Sequence, residues 1–112
     1  MRNVLDIEGH KAVISFDPDI RMLRGEFLGL AGGAEFYATS VEALFEEGRK
    51  SLQTHLDLCL EEGAEPFRNF SGRFNVRLDP KLHAAAVIAA AAEFKSLNEW
   101  IADAIKAAAK AG

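Results

Sequence analysis

The sequence predicts an α+β protein, an N-terminal βββα two-layer unit followed by a smaller βαα unit. Three observations carry this. Between residues 12 and 38, short β-branched and aromatic runs alternate with turn residues. From Val41 to Leu60, apolar residues recur with helical period. Residues 73–78, Arg-Phe-Asn-Val-Arg-Leu, alternate polar with apolar side chains ahead of two more helical patterns.

The first strand is expected at Ala12-Val13-Ile14-Ser15-Phe16, closed by the turn signal Asp17-Pro18-Asp19. A second runs from Met22 towards Leu30, and Gly32-Gly33 marks the next turn. Glu35-Phe36-Tyr37-Ala38 is the third, and the short connections suggest an antiparallel meander. Thr39 with Glu42 has capping-box spacing and Ser40 competes as the cap. Val41, Leu44, Phe45, Gly48, Leu52, Leu56, Cys59 and Leu60 then form one helical face, which Gly63 and Pro66 end. One such helix covers one face of a three-stranded sheet.

Domain boundaries follow at 1–65 and 73–112, with 66–72 as a linker whose Phe67 and Phe70 dock on a neighbouring surface. The strand at 73–78 puts Phe74, Val76 and Leu78 on one face and Arg73, Asn75 and Arg77 on the other. Asp79 and Pro80 start a helix rich in alanine, with Leu82, Val87, Ile88 and Phe94 as packing positions. Ser96 with Glu99 is a second capping box, followed by Leu97, Trp100, Ile101, Ala104, Ile105 and Ala108 on one helical stripe.

With 49% apolar residues in 112, the chain can build a core, which argues against global disorder. No apolar run approaches the roughly 18 residues of a membrane span. No secretion-signal layout opens the chain, and its lone cysteine, Cys59, forms no intrachain disulfide, so a cytoplasmic protein is expected. Residues 1–70 carry seven basic and thirteen acidic side chains, net −6, and residues 71–112 six and four, net +2. Two parts with different partners fit this split, as does an acidic protein whose last helix happens to end in lysines. His10, His55 and His83 are scattered, so no metal site is expected. His55 lies near an apolar helix face and His83 at a surface position. No nucleophile and base group together and no phosphate loop appears; the expectation is no enzyme and no cofactor.

A unit of about forty residues rarely folds alone without a metal, disulfide or partner. Its single strand has two unpaired edges. Pairing with the same strand of a second chain removes one edge from each and seals the apolar face, so a two-fold homodimer is expected, and a tetramer if the N-terminal units pair too. A two-stranded ribbon fits the major groove, and arginine and asparagine match guanine and adenine edges. Arg73, Asn75 and Arg77 are therefore the candidate base-contacting residues of a reader of double-stranded operator DNA. The helix start at Ser96, Leu97 and Asn98 offers free N–H groups to a phosphate, with Lys95 beside it. On alternation alone, an ordinary solvated strand face would be the default for the three polar residues. Ser96 caps its helix under either reading, and Trp100 is read as a core anchor.

The run Phe74-Asn75-Val76-Arg77-Leu78, then Pro80, then Lys95-Ser96-Leu97-Asn98-Glu99-Trp100, resembles a ribbon-helix-helix DNA-binding domain. Residues 70–78 attached to a small βββα unit resemble the HicB family of antitoxins. The resemblance is looser over residues 10–65, where Gly25, Gly29-Leu30 and Ser40-Val41-Glu42 carry it. It implies an antitoxin that neutralises a HicA-like RNA-cleaving toxin through its N-terminal unit and represses its own operon through its C-terminal one. The acidic balance of residues 1–70 suits a basic partner. One position departs from the pattern: family members commonly have glycine between the last two helices, and this chain has Phe94. A left-handed backbone there costs phenylalanine on the order of 1 kcal/mol, so either the turn differs or the ring packs. The alternative is a stand-alone ribbon-helix-helix regulator without a toxin. A third class, an enzyme or RNA binder built on the βββα unit, is disfavoured because phosphate contact needs lysine and arginine.

Overall fold

The structure, a computed structural model, describes residues 2–111. It is α+β, a four-stranded antiparallel sheet followed by three helices. The chain divides into two compact units, Asn3–Ser71 and the residues from Gly72 on.

In the first unit β1 (Val4–Ile7), β2 (His10–Asp17), β3 (Met22–Phe27) and β4 (Ala34–Ala38) form a meander in the order β1-β2-β3-β4. The sequence reading gave three strands, and β1 corrects it. Ile7 pairs with His10 across a two-residue turn. Both turn residues, Glu8 and Gly9, have positive φ, as a tight hairpin requires. The Asp6 carboxylate holds the turn by accepting from Gly9 N–H at 2.9 Å. Alternation places Ile7, Ala12, Phe27, Phe36 and Ala38 on the core face.

Helix α1 (Val41–Glu62) covers that face. Its N-cap is Ser40, whose hydroxyl accepts from Ala43 N–H at 3.1 Å, so the Thr39 capping box is not the one used. Leu44, Gly48 and Leu52 are buried, whereas Val41 and Leu60, read as part of the packing face, lie exposed at its edges. Gly48 lets the helix sit close to the sheet: a β-carbon there would run into the side chains of Ile7 and Phe36. Gly63 ends the helix in the left-handed conformation, and Ala64 N–H closes back on Cys59 O at 2.8 Å.

The start of the expected linker belongs to this unit. Leu30 and Phe67 form an antiparallel bridge. Ala31 N–H donates to Pro66 O at 3.0 Å and Arg68 N–H to Gly29 O at 2.8 Å. The Phe67 ring stacks on His10 with centroids 5.2 Å apart. His55 Nε2 lies 2.7 Å from the same Pro66 carbonyl, and this uses the half-buried histidine structurally. Phe70 stays exposed beneath the Arg68 guanidinium.

The second unit contains α2 (Pro80–Ala92) and α3 (Leu97–Ala111), packed on each other. Asp79 caps α2 by accepting from Lys81 N–H at 2.8 Å, and Pro80 takes the first turn. The helix ends in a Schellman closure, Lys95 N–H on Ala90 O at 2.9 Å, with Phe94 in the left-handed position at φ 58°. The turn therefore has the geometry that favours glycine, and no packing compensates within the chain, where Phe94 is 98% exposed. Only Ala90 of α2 is buried. Leu82, Val87 and Ile88, expected as packing positions, are exposed. No helix among the described residues is long and apolar enough to cross a membrane.

Candidate functional site

Residues 73–79 have no regular secondary structure in the single chain, so the strand read from the alternation is not formed here. The physical reason is simple: a ladder needs a second strand, and none of the described strands pairs with this segment. Arg73, Asn75 and Arg77 are exposed. So are the apolar residues between them, Phe74 at 70% and Val76 at 61%, with Leu78 following. An alternating run that exposes both its sets has no buried face of its own.

The exposed apolar surface continues along the unit. Leu82, Val87, Ile88, Phe94 and Ile105 add to it. Single exposed apolar residues are ordinary; this many on about forty residues are more than such scatter.

At the start of α3 the sequence-predicted cap is present. Glu99 N–H donates to Ser96 Oγ at 3.1 Å, and Ser96 N–H reaches back to Glu99 Oε1 at 3.4 Å. This reciprocal box uses two of the donors at the helix start. Asn98 is exposed and Leu97 half-buried. Lys95 is placed beside them, but its ammonium is held by Asp103 Oδ2 at 2.8 Å. That carboxylate raises the Lys95 pKa and is itself held below the usual aspartate range. The sequence reading missed this partner, which lies eight residues away on the next helix. Trp100 is half-buried, in keeping with an anchor.

In the first unit, the sheet face opposite α1 carries a polar knot that the sequence did not reveal. Arg24 bridges Glu26 and Glu35, and Tyr37 Oη donates to Glu35 at 3.0 Å. The guanidinium and the hydroxyl hold the Glu35 carboxyl below its ordinary range. Cys59 is a free thiol with Sγ 3.6 Å from His55 Nε2. No group of three or more histidine, cysteine or carboxylate side chains is arranged to hold a metal among the described residues.

Comparison with known proteins gives one similarity. The model of the HicB family matches residues 55–105, so this stretch is similar to that family. The match runs from the last turns of α1 through the 73–78 run and most of the helical pair. No curated protein and no solved structure matches the chain.

Proposed function

We propose that this chain is a HicB-type antitoxin and autorepressor, with its N-terminal unit holding a HicA-like RNA-cleaving toxin and its C-terminal unit reading operator DNA as a homodimer. The family similarity points to toxin–antitoxin biology in general. The observation that carries the finer reading is the exposed run inside the matched stretch. Phe74, Val76 and Leu78 lie open to solvent, interleaved with Arg73, Asn75 and Arg77. Pairing two copies of this run as an antiparallel ribbon buries the three apolar side chains against α2 and α3. It leaves six polar side chains, three per copy, for the base edges. Covering Leu82, Val87 and Ile88 belongs to the same event. The N–H groups of Leu97 and Asn98 then face phosphate, and Lys95 joins by exchanging Asp103 for it.

A gel-shift titration against the chain's own promoter and a scrambled duplex tests the DNA half. Asn75→Ala should lose about 1–3 kcal/mol of discrimination per half-site. Lys95→Ala should weaken both duplexes alike and reduce the salt dependence. Equal loss on both sequences for Asn75→Ala contradicts base reading. For the toxin half, co-expression with any short basic protein encoded beside this chain should give a co-purifying, inactive complex.

A further inference from the structure

We propose that the free edge of β4, with the flank of α1 beside it, is a docking strip for an extended basic segment of a protein partner, which joins the sheet as a fifth strand. This deepens the toxin-holding reading, on which the partner's identity rests, by naming the surface and the chemistry it takes.

β4 lies at the end of the sheet and, among the described residues, pairs with β3 alone. Alternate backbone groups of Ala34–Ala38 therefore point away from the sheet with no strand to meet them. Proteins usually blunt such an edge with lysine, proline or a bulge. Ala34-Glu35-Phe36-Tyr37-Ala38 has none of these, and its register with β3 is unbroken. The opposite edge, β1, is only four residues long.

A groove of about 510 Å³ runs along this edge between β4 and α1, lined by Glu35, Tyr37, Glu47, Lys50, Thr54 and Leu58 among others. Leu58 is an exposed apolar side chain in its wall and Tyr37 a half-buried one, so the groove offers anchors as well as charge. An extended peptide on a sheet edge takes its affinity from main-chain bonds and its specificity from such alternating sites.

The charge selects the occupant. α1 carries six carboxylates, Glu42, Glu46, Glu47, Asp57, Glu61 and Glu62, against Arg49 and Lys50. Arg49 is held by Glu8 and Glu46, and Lys50 lies 3.5 Å from Glu47. On the sheet side Arg24 is taken up by Glu26 and Glu35. Within the groove's own lining Glu35 and Glu47 stand against Lys50, and α1 as a whole is net acidic, which favours a segment rich in lysine and arginine. A second copy of this chain is disfavoured there, because edge-to-edge pairing would bring two acidic α1 flanks together.

The test uses the full chain, isotope-labelled, titrated at millimolar concentration with the peptide Lys-Val-Lys-Ile-Lys-Val-Lys and with its twin in which glutamate replaces every lysine. Expected are shifts of the residue 34–38 amides with the basic peptide only, and cross-strand proton contacts to it. The double variant Glu47→Lys, Leu58→Lys should weaken this at least about tenfold with the circular dichroism and DNA mobility unchanged. No binding, shifts centred elsewhere, equal binding of the acidic twin, or pairing of the chain with itself through β4 would each overturn the strip. Co-expression with a HicA-like toxin encoded beside the chain separates the two ideas. Wild-type chain that fails to capture it sinks the antitoxin reading; capture that survives the double variant sinks only the β4 strip.

Discussion

Replacing Phe94 by glycine should stabilise the protein. Phe94 holds φ at 58° in the Schellman closure of α2, and its ring is 98% exposed. The left-handed backbone costs a residue with a β-carbon roughly 1–2 kcal/mol. Glycine removes that cost but returns about 0.4–1 kcal/mol to the unfolded chain as added freedom. With no packing in the chain to lose, the net gain is about 0.5–1 kcal/mol. Urea unfolding followed by Trp100 fluorescence, at a fixed protomer concentration, should show a higher midpoint with an unchanged slope. A loss of about 1 kcal/mol or more would refute the strain reasoning. It would mean that the ring is covered in the assembled protein, where burial of about 1.5–3 kcal/mol outweighs the backbone.

Three further outcomes are expected. Gly48→Ala should destabilise by about 1–3 kcal/mol, because its β-carbon meets Ile7 and Phe36 in a packed core; an unchanged thermal midpoint would contradict the close helix–sheet approach. Ser96→Ala should cost about 1 kcal/mol by removing the acceptor for Glu99 N–H, measured by urea unfolding. Glu35 is held below its ordinary value of 4.5 by Arg24 and then Tyr37, so the unfolded chain takes up its proton first as pH falls. Its stabilising effect is full above that value and fades as pH drops through the folded one. Glu35→Gln should flatten the acid limb of a melting-temperature profile, and identical limbs would speak against the knot.

Local chemistry made much of this fold readable. Proline at residue 80 after Asp79, Ser96 three residues before Glu99, and Gly63 past the last turn of α1 each state a helix boundary in a few residues, and each stands in the structure. β1 was missed because Val4-Leu5-Asp6-Ile7 is short and its turn, Glu8-Gly9, lacks the asparagine or aspartate that announces a tight hairpin. Asp103 was missed as the partner of Lys95 because the pairing depends on how two helices cross, which no local pattern encodes. The Arg24 knot depends likewise on the register of β3 against β4. Of the candidate site, residues 73–78 were legible as a pattern but not as a conformation, since alternation names two faces and only a neighbouring strand makes them real.

The bridge between Leu30 and Phe67 also sets how much free chain follows the first unit's helix. If the chain left the first unit at Gly63, residues 64–68 would add up to roughly 17 Å of slack to whatever follows. The bonds at Pro66 and Arg68 take that slack away. The segment beyond these bonds starts only at Asn69, a few residues before residue 73. Insertions after Arg68 would lengthen that segment, whereas insertions between Gly63 and Pro66 would be absorbed upstream of the anchor and leave it the same length.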